Sequence, residues 1–348
     1  MIKNRTIYFN DARHYYLFVF EPPMSMEDAW KPIDEVAGTS IDTFIYGVAR
    51  GDGLFYPSKV GLPFGTDTHP FDSAAYYRVF YNMQSLIERG LDPLQVLIDR
   101  AHSKGMEFFP SLRMSDTPGL NQDFHVNQGG RGHMHKETRD HQFNVLKELL
   151  YDYDSDGIEL DFMRHPAFFR VEEAYSKRDL LTEFIDNIKS RIDLLSAKPG
   201  KQIDLLVRVP PTLSDCKRIG IDVETWRKNS LISMVVAGSG NIPFEMPIKE
   251  FVEVADGTEC KIYGCLEGLR GEKTLRAIVH RYWEAGVSGI YLFNLYSMSN
   301  DWKRNVLGIL GNPNKLQLLD KRYEIDLSGP TPTSQVGHAF QNAIPKAQ

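Results

Sequence analysis

Apolar residues fall along this chain in two alternating registers. Short runs rich in β-branched and aromatic residues recur at 6–10 (TIYFN), 41–48 (IDTFIYGV), 106–113 (MEFFPSLR), 157–163 (GIELDFM), 203–209 (IDLLVRV), 232–237 (ISMVVA), 260–267 (CKIYGCLE) and 288–295 (SGIYLFNL). These read as strands, and the longer segments between them read as helices. Parallel neighbours need helical crossovers that cover both faces of the sheet. Eight such alternations therefore predict a closed (β/α)8 TIM barrel over residues 1–310, an α/β fold with a single domain. A seven-stranded or partly open variant is the competing fold, because the first run is short and the sixth is weakly marked.

Helix punctuation supports this order. Ser25 followed by Asp28 resembles a capping box, and Gly38 then stops that helix before the second strand. Gly105 and Gly286 stand in the same place before the third and eighth strands. Two connections exceed ordinary loop length: residues 50–75 and 114–136, rich in Gly, Pro, Asp and His. Both follow strands, which places them on the C-terminal rim where barrel enzymes carry their chemistry. From 311 to 348 the chain turns polar and Pro-punctuated and reads as a C-terminal extension.

Composition narrows the function classes. Lys plus Arg number 40 and Asp plus Glu 46, a formal net charge of −6, so no overall cationic field exists to hold nucleic acid or an anionic membrane. No run approaches the length of a membrane span, and residues 1–5 lack the apolar core of an export signal. The chain reads as soluble, cytoplasmic as it stands, although a chain that had lost such a signal would read identically. Three cysteines, Cys216, Cys260 and Cys265, do not make a disulfide framework and read as buried thiols. Oligomeric state is open.

The fourth run holds the densest chemistry. Side chains alternate along a strand, so Ile158, Leu160 and Phe162 share one face and Glu159, Asp161 and Met163 the other. The apolar trio suits the helix side, which directs two carboxylates into the lumen, where an unpaired charge is costly. The seventh run ends at Glu267, across the barrel from the fourth. Carboxylates on opposite walls are what glycosidic cleavage requires, one to protonate the leaving oxygen and one to attack or to activate water. Asp161 and Glu267 are the lead catalytic pair, with Glu159 supporting.

Arg50, Arg113, Arg164 and Arg208 fall at or just past the ends of strands two to five. Their planar forks suit carboxylate and sulfate oxygens, so the substrate is expected to be an anionic glycan, sulfated or uronic. His133, His135 and His165, with Asn294 and Tyr296 after the eighth strand, complete the candidate substrate-binding set. Phe55, Tyr56 and Phe71 in the first long loop suit stacking on sugar rings. No cofactor is expected: Gly129 to Gly132 lacks the strand-turn-helix setting of a phosphate site, and the histidines do not stand where a metal-dependent barrel would put them.

The run Tyr153-Asp154-Ser155-Asp156-Gly157-Ile158-Glu159-Leu160-Asp161-Phe162 resembles the fourth-strand motif of bacterial glycosyl-hydrolase-like barrels related to glycoside hydrolase family ten. In those proteins a Tyr-Asp-x-Asp-Gly-Ile stretch precedes an inward acidic pair. Here Glu159 stands where they commonly carry His, Phe162 stands where a second Asp is usual, and Asp161 coincides with the first Asp. The resemblance spans roughly residues 5–300. It implies a retaining glycosidase with Asp161 or Glu159 as acid/base and Glu267 as nucleophile. Two other readings predict different behaviour. A non-catalytic saccharide-binding barrel would tie its carboxylates to arginines, and a polysaccharide lyase would release an unsaturated product from a uronate.

Overall fold

The computed structural model describes residues 5–11, 16–51, 53–67, 70–124, 132–163, 168–238, 246–266, 271–295 and 299–323. Eight parallel strands close into a barrel: β1 (Thr6–Asp11), β2 (Thr43–Gly47), β3 (Glu107–Arg113), β4 (Gly157–Asp161), β5 (Asp204–Val209), β6 (Met234–Ala237), β7 (Lys261–Leu266) and β8 (Gly289–Phe293). They lie side by side in chain order, and β8 pairs with β1 through Thr6 opposite Ile290. The closed eight-strand alternative is the one adopted. Each predicted run coincides with a strand, the first extended by one residue to Asp11 and the others trimmed at their ends.

Helices cover the outside: α1 (Met26–Asp34), α2 (Ala74–Ile87), α3 (Pro93–Ser103), α4 (Lys136–Asp152), α5 (Val171–Ser196), α6 (Leu213–Arg218), α7 (Val223–Lys228), α8 (Ile248–Ala255), α9 (Glu272–Glu284), α10 (Asn300–Leu310) and α11 (Pro313–Gln317). Among the described residues no helix is long and apolar enough to cross a membrane. The Ser25 and Asp28 capping box is formed in both directions. Gly105 and Gly286 adopt φ of +71° and +91°, the left-handed region that lets a helix end turn directly into a strand. The first long loop carries a small antiparallel ribbon, Ala49–Arg50 with Gly53–Leu54, followed by two successive helices before β3. Within the C-terminal extension, α11 packs on the barrel helices and Arg322 N–H donates to Lys273 O at 3.0 Å.

Strand parity sorts the lumen. Gly47 packs toward Phe9 and Asp11, Gly157 toward Phe109, and Gly264 toward Tyr282 of α9. Phe9, Phe109, Glu159, Asp161, Arg208, Tyr263, Cys265, Tyr291 and Phe293 thus share the inner face with Arg5, Ser111 and Arg113. Ile158, Leu160 and Phe162 face the helices, with Phe162 tilted against Trp226 at 5.7 Å. The N-terminal floor is an ion cluster: Arg5 Nε to Glu107 at 2.6 Å, Arg5 Nη2 to Asp204 at 2.6 Å, and Thr43 Oγ1 to Glu107 at 2.9 Å. Charges at that end satisfy one another and plug the barrel, which is a stability role.

Candidate functional site

The C-terminal mouth is a ring of alternating charge. Going around it, register places Asp11 beside Gly47, Arg113 beside Asp161 and Asp161 beside Arg208. Arg113 on β3 pairs with Asp11 on β1, which requires it to reach across β2. Gly47 is the inward residue of β2 at that level, and its missing side chain leaves the path open. Arg113 also stands 4.0 Å from Asp116 in the loop that follows β3.

Asp161 is the best-held group of the ring. Arg208 grips it with both prongs, Nε to Oδ1 at 2.9 Å and Nη2 to Oδ2 at 3.0 Å, and the Met163 amide donates to Oδ1 at 2.9 Å. Three N–H donors on one carboxyl group are the surroundings of an anion. The guanidinium in turn lies 4.1 Å over the Phe293 ring, which itself stacks on Phe9 with centroids 4.4 Å apart. This aromatic shelf desolvates the ion pair and fixes its plane.

One layer deeper, Glu159 has the opposite environment. Its Oε1 accepts from Ser111 Oγ at 2.6 Å and from Tyr291 OH at 3.2 Å, with no cation on it as Arg208 is on Asp161. Complete burial, reinforced by the neighbouring Asp161 charge, pushes its carboxyl up to about 8. The strand thus carries two carboxyl groups in contrasting surroundings, one clamped by a guanidinium and one bonded to two hydroxyl groups. A folded-state value above the ordinary 4.5 means that the native protein keeps a proton that the unfolded chain has released. Its contribution to stability therefore declines as pH rises from about 4.5 to about 8 and is constant beyond. Replacing Glu159 with Gln, a shape match for the neutral acid, is expected to flatten this part of a Tm-against-pH curve measured from about pH 5 to 8.5. An undiminished decline in the variant would place the extra proton elsewhere.

Asp116, in the loop after β3, is a further perturbed carboxyl group at the mouth. Burial pushes it up to about 6, while Arg113 and Arg50 act in the other direction. Arg50, half-buried at the edge of the small ribbon, is thereby placed within electrostatic reach of the ring.

The other sequence-derived candidates divide. Asn294, in a left-handed conformation with φ +51°, accepts from Asp11 N at 3.0 Å, and its own N–H donates to Phe9 O at 3.1 Å. It stitches β8 to β1 at the closure seam. His133 is not brought to the ring. It is fully buried beside Phe168 and Phe184, with ring centroids 5.1 and 6.3 Å away, and burial lowers its pKa to about 3. His135 sits at the start of α4 against Phe124, 5.1 Å between rings, and is also apart from Asp161. Glu267, Arg164, His165 and Tyr296 lie outside the described residues. Phe55 and Tyr56, expected to meet sugar rings, are instead buried inside their loop, and Phe71 stacks on Phe64 at 6.1 Å.

Asp11, Ser111 and Asp116 belong to the mouth or its lining and were not singled out from sequence, and Tyr291 stood out there only as a strand-end aromatic. The parity rule applied to β3 would have found Ser111, two residues before Arg113. Asp11 was legible only as a polar residue ending the first strand. Among the described residues, no group of three His, Cys, Asp or Glu side chains is arranged to hold a metal ion.

This geometry defines the class: a (β/α)8 barrel with a buried carboxylate and arginine ring at the C-terminal ends of its strands. Solved structures of the same fold include several glycoside hydrolases. The catalytic domain of a psychrophilic chitinase B from Arthrobacter TAD20 is 9% identical, with a TM-score of 0.51 over 92% of this chain and 98% of its own. A glycoside hydrolase family 18 N-acetylglucosaminidase from Paenibacillus barengoltzii is 9% identical, with a TM-score of 0.51 over 88% of this chain and 99% of its own. Alpha-L-fucosidase isoenzyme 2 from Paenibacillus thiaminolyticus is 12% identical, with a TM-score of 0.52 over 90% of this chain and 49% of its own. At these identities the likeness is one of fold. No family model matches the sequence, and no curated protein matches it.

Proposed function

We propose that the barrel hydrolyses a glycosidic bond at its C-terminal mouth, with Asp161 as the anionic carboxylate of the reaction and Glu267, just past the end of β7 in sequence, as its partner. The observation that carries this reading is the pair on β4: Asp161 held by three N–H donors beside Glu159 pushed up to about 8. Separation of carboxyl groups into neutral and anionic members is how one site runs acid and base chemistry at one pH. Glycoside hydrolases of the same fold support the substrate class.

The ring also revises the roles implied by the family-ten resemblance. A carboxylate clamped by Arg208 is well placed to attack or to stabilise a cationic, oxocarbenium-like transition state, and poorly placed to give up a proton. Proton donation then falls to Glu267, or to Asp116 with its value near 6, close to the working pH that favours an acid catalyst. Glu159, one layer down and bonded to Ser111 and Tyr291, supports Asp161 from below.

An anionic substrate has less to rest on. Arg113 is engaged by Asp11 and Asp116, and Arg208 by Asp161, so these two do not supply the spare cationic charge expected at the rim. The same pairs favour a second reading, a barrel that binds a saccharide without cleaving it. One assay separates these: incubation with neutral, uronic and sulfated polysaccharides, following reducing ends. Asp161→Asn is expected to lower kcat by about 10²–10⁴-fold. Turnover unchanged in both Asp161→Asn and Glu267→Gln would remove the proposed pair. Binding with no reducing ends released by the parent protein would establish the second reading.

A further inference from the structure

The segment 16–25 lies between the C-terminal end of β1 and the capped start of α1, both at the mouth end of the barrel. It forms one wall of a groove whose other wall is α2. The groove encloses about 250 Å³ and is lined by Pro22, Pro23, Tyr77, Tyr81, Gln84, Ser85 and Glu88. Its walls are locked together. Asn82 Nδ2 donates to Leu17 O and Phe20 O at 2.9 and 2.7 Å, Ser85 Oγ accepts from Met24 N at 3.1 Å, and Arg89 donates to Ser85 O and Met24 O at 2.6 and 2.7 Å.

Within this rigid frame two tyrosines are left open. Tyr77 and Tyr81 are 47% and 40% exposed, one helical turn apart, with ring centroids 4.5 Å from each other at 45°. Scattered exposed aromatics need no explanation, but a contacting pair forming the wall of a preformed groove presents a platform. The rings share the groove with Pro22 and Pro23 and with the polar side chains of Gln84 and Glu88. Lining of this kind matches a ligand with apolar C–H faces and hydroxyl edges. Among the lining residues the one ionisable carboxylate is Glu88 and no cation is present, which disfavours an anion.

We propose that this groove is an accessory docking site for a neutral oligosaccharide, stacked on Tyr77 and Tyr81 with its hydroxyl groups bonded by Gln84 and Glu88, at the same end of the barrel as the catalytic mouth. The proposal rests on the reading of the barrel as glycan-processing. It also places the sugar-stacking aromatics on α2, where sequence analysis had assigned them to Phe55 and Tyr56. Rigid walls mean that little ordering cost is incurred on binding.

The test is calorimetric titration of hexasaccharides of chitin, cellulose and xylan into the full chain carrying Asp161→Asn, so that ligand is not consumed. At least one is expected to bind, and adding Tyr77→Ala and Tyr81→Ala is expected to weaken it by about tenfold, equivalent to about 1.4 kcal/mol. The corresponding double Phe variant, which keeps both rings, should retain binding. Affinity unaltered in the double Ala variant, no binding of any of the three, or preference for a proline-rich peptide over all three, would each overturn the site. Turnover separates this from the underlying reading. A parent protein that cleaves a glycan but is indifferent to the Ala pair loses the docking site alone. Tenfold loss in a protein that cleaves nothing keeps the site and removes the hydrolase.

Discussion

Replacing Arg208 with Met is expected to cost about 3–5 kcal/mol of stability, because it leaves Asp161 fully buried with its counter-ion gone. Both side chains are 0% exposed and bonded bidentately. Only the Met163 amide would remain on the carboxylate. The stacking of the guanidinium on Phe293 is lost as well, although Met fills part of that space. Urea unfolding at neutral pH should show the midpoint falling with little change in slope. Removing both charges, as Arg208→Met with Asp161→Leu, is expected to recover much of the loss, since an apolar pair of similar volume can replace a buried ion pair at small cost. A single Arg208→Met variant within about 0.5 kcal/mol of the parent would show that Arg208 is not what offsets the burial of Asp161.

Gly289→Ala is expected to be the most damaging small substitution in the barrel. A Cβ there would overlap the Arg5 carbonyl oxygen and stand 2.7 Å from the Tyr263 ring. Gly289 pairs with Tyr263 of β7, and Arg5 immediately precedes β1, so the added methyl pushes apart the strands that close the barrel. Overpacking of this kind typically costs about 1–3 kcal/mol, and more when backbone must move, so a loss at or above the top of that range is predicted by thermal or urea unfolding. The control is Gly308→Ala, in α10 with no atom within 4 Å, where Ala is favoured in a helix by about 0.8–1 kcal/mol. Equal behaviour of the two variants would mean that the β1–β8 seam is looser than its register implies.

The two predictions draw on different kinds of legibility. Strand order was readable because each strand is a short apolar run and each crossover a long one, a pattern set by local geometry. The inward direction of Glu159 and Asp161 was readable for the same reason, since alternation is a property of one strand. The partner of Asp161 was not. Arg208 is 47 residues away in sequence and was one of four arginines at strand ends. Register sets both Arg113 and Arg208 beside Asp161, and the choice falls to Arg208 because Arg113 is drawn to Asp11 past Gly47.

Likewise, nothing local distinguishes Tyr56 from Tyr77. Both are tyrosines in or after a long rim loop. Tyr56 is buried against Glu148 through a 2.9 Å hydrogen bond, whereas Tyr77 is left open. His133 reads as a rim ligand from its place after β3, but its ring is buried among Phe168, Phe169 and Phe184.

By itself, then, the sequence determined the eight-fold alternation, the capped starts and glycine stops of several helices, and which face of β4 carries acid. These depend on interactions between residues a few positions apart, whose spacing along the chain is their spacing in space. Tertiary structure alone decided that Gly47 opens the way from Arg113 to Asp11, that Asp161 meets a guanidinium while Glu159 meets two hydroxyl groups, and that α2 and the segment before α1 form a groove. Each of these turns on burial and on contacts across tens to hundreds of residues, which exist only once the barrel has closed.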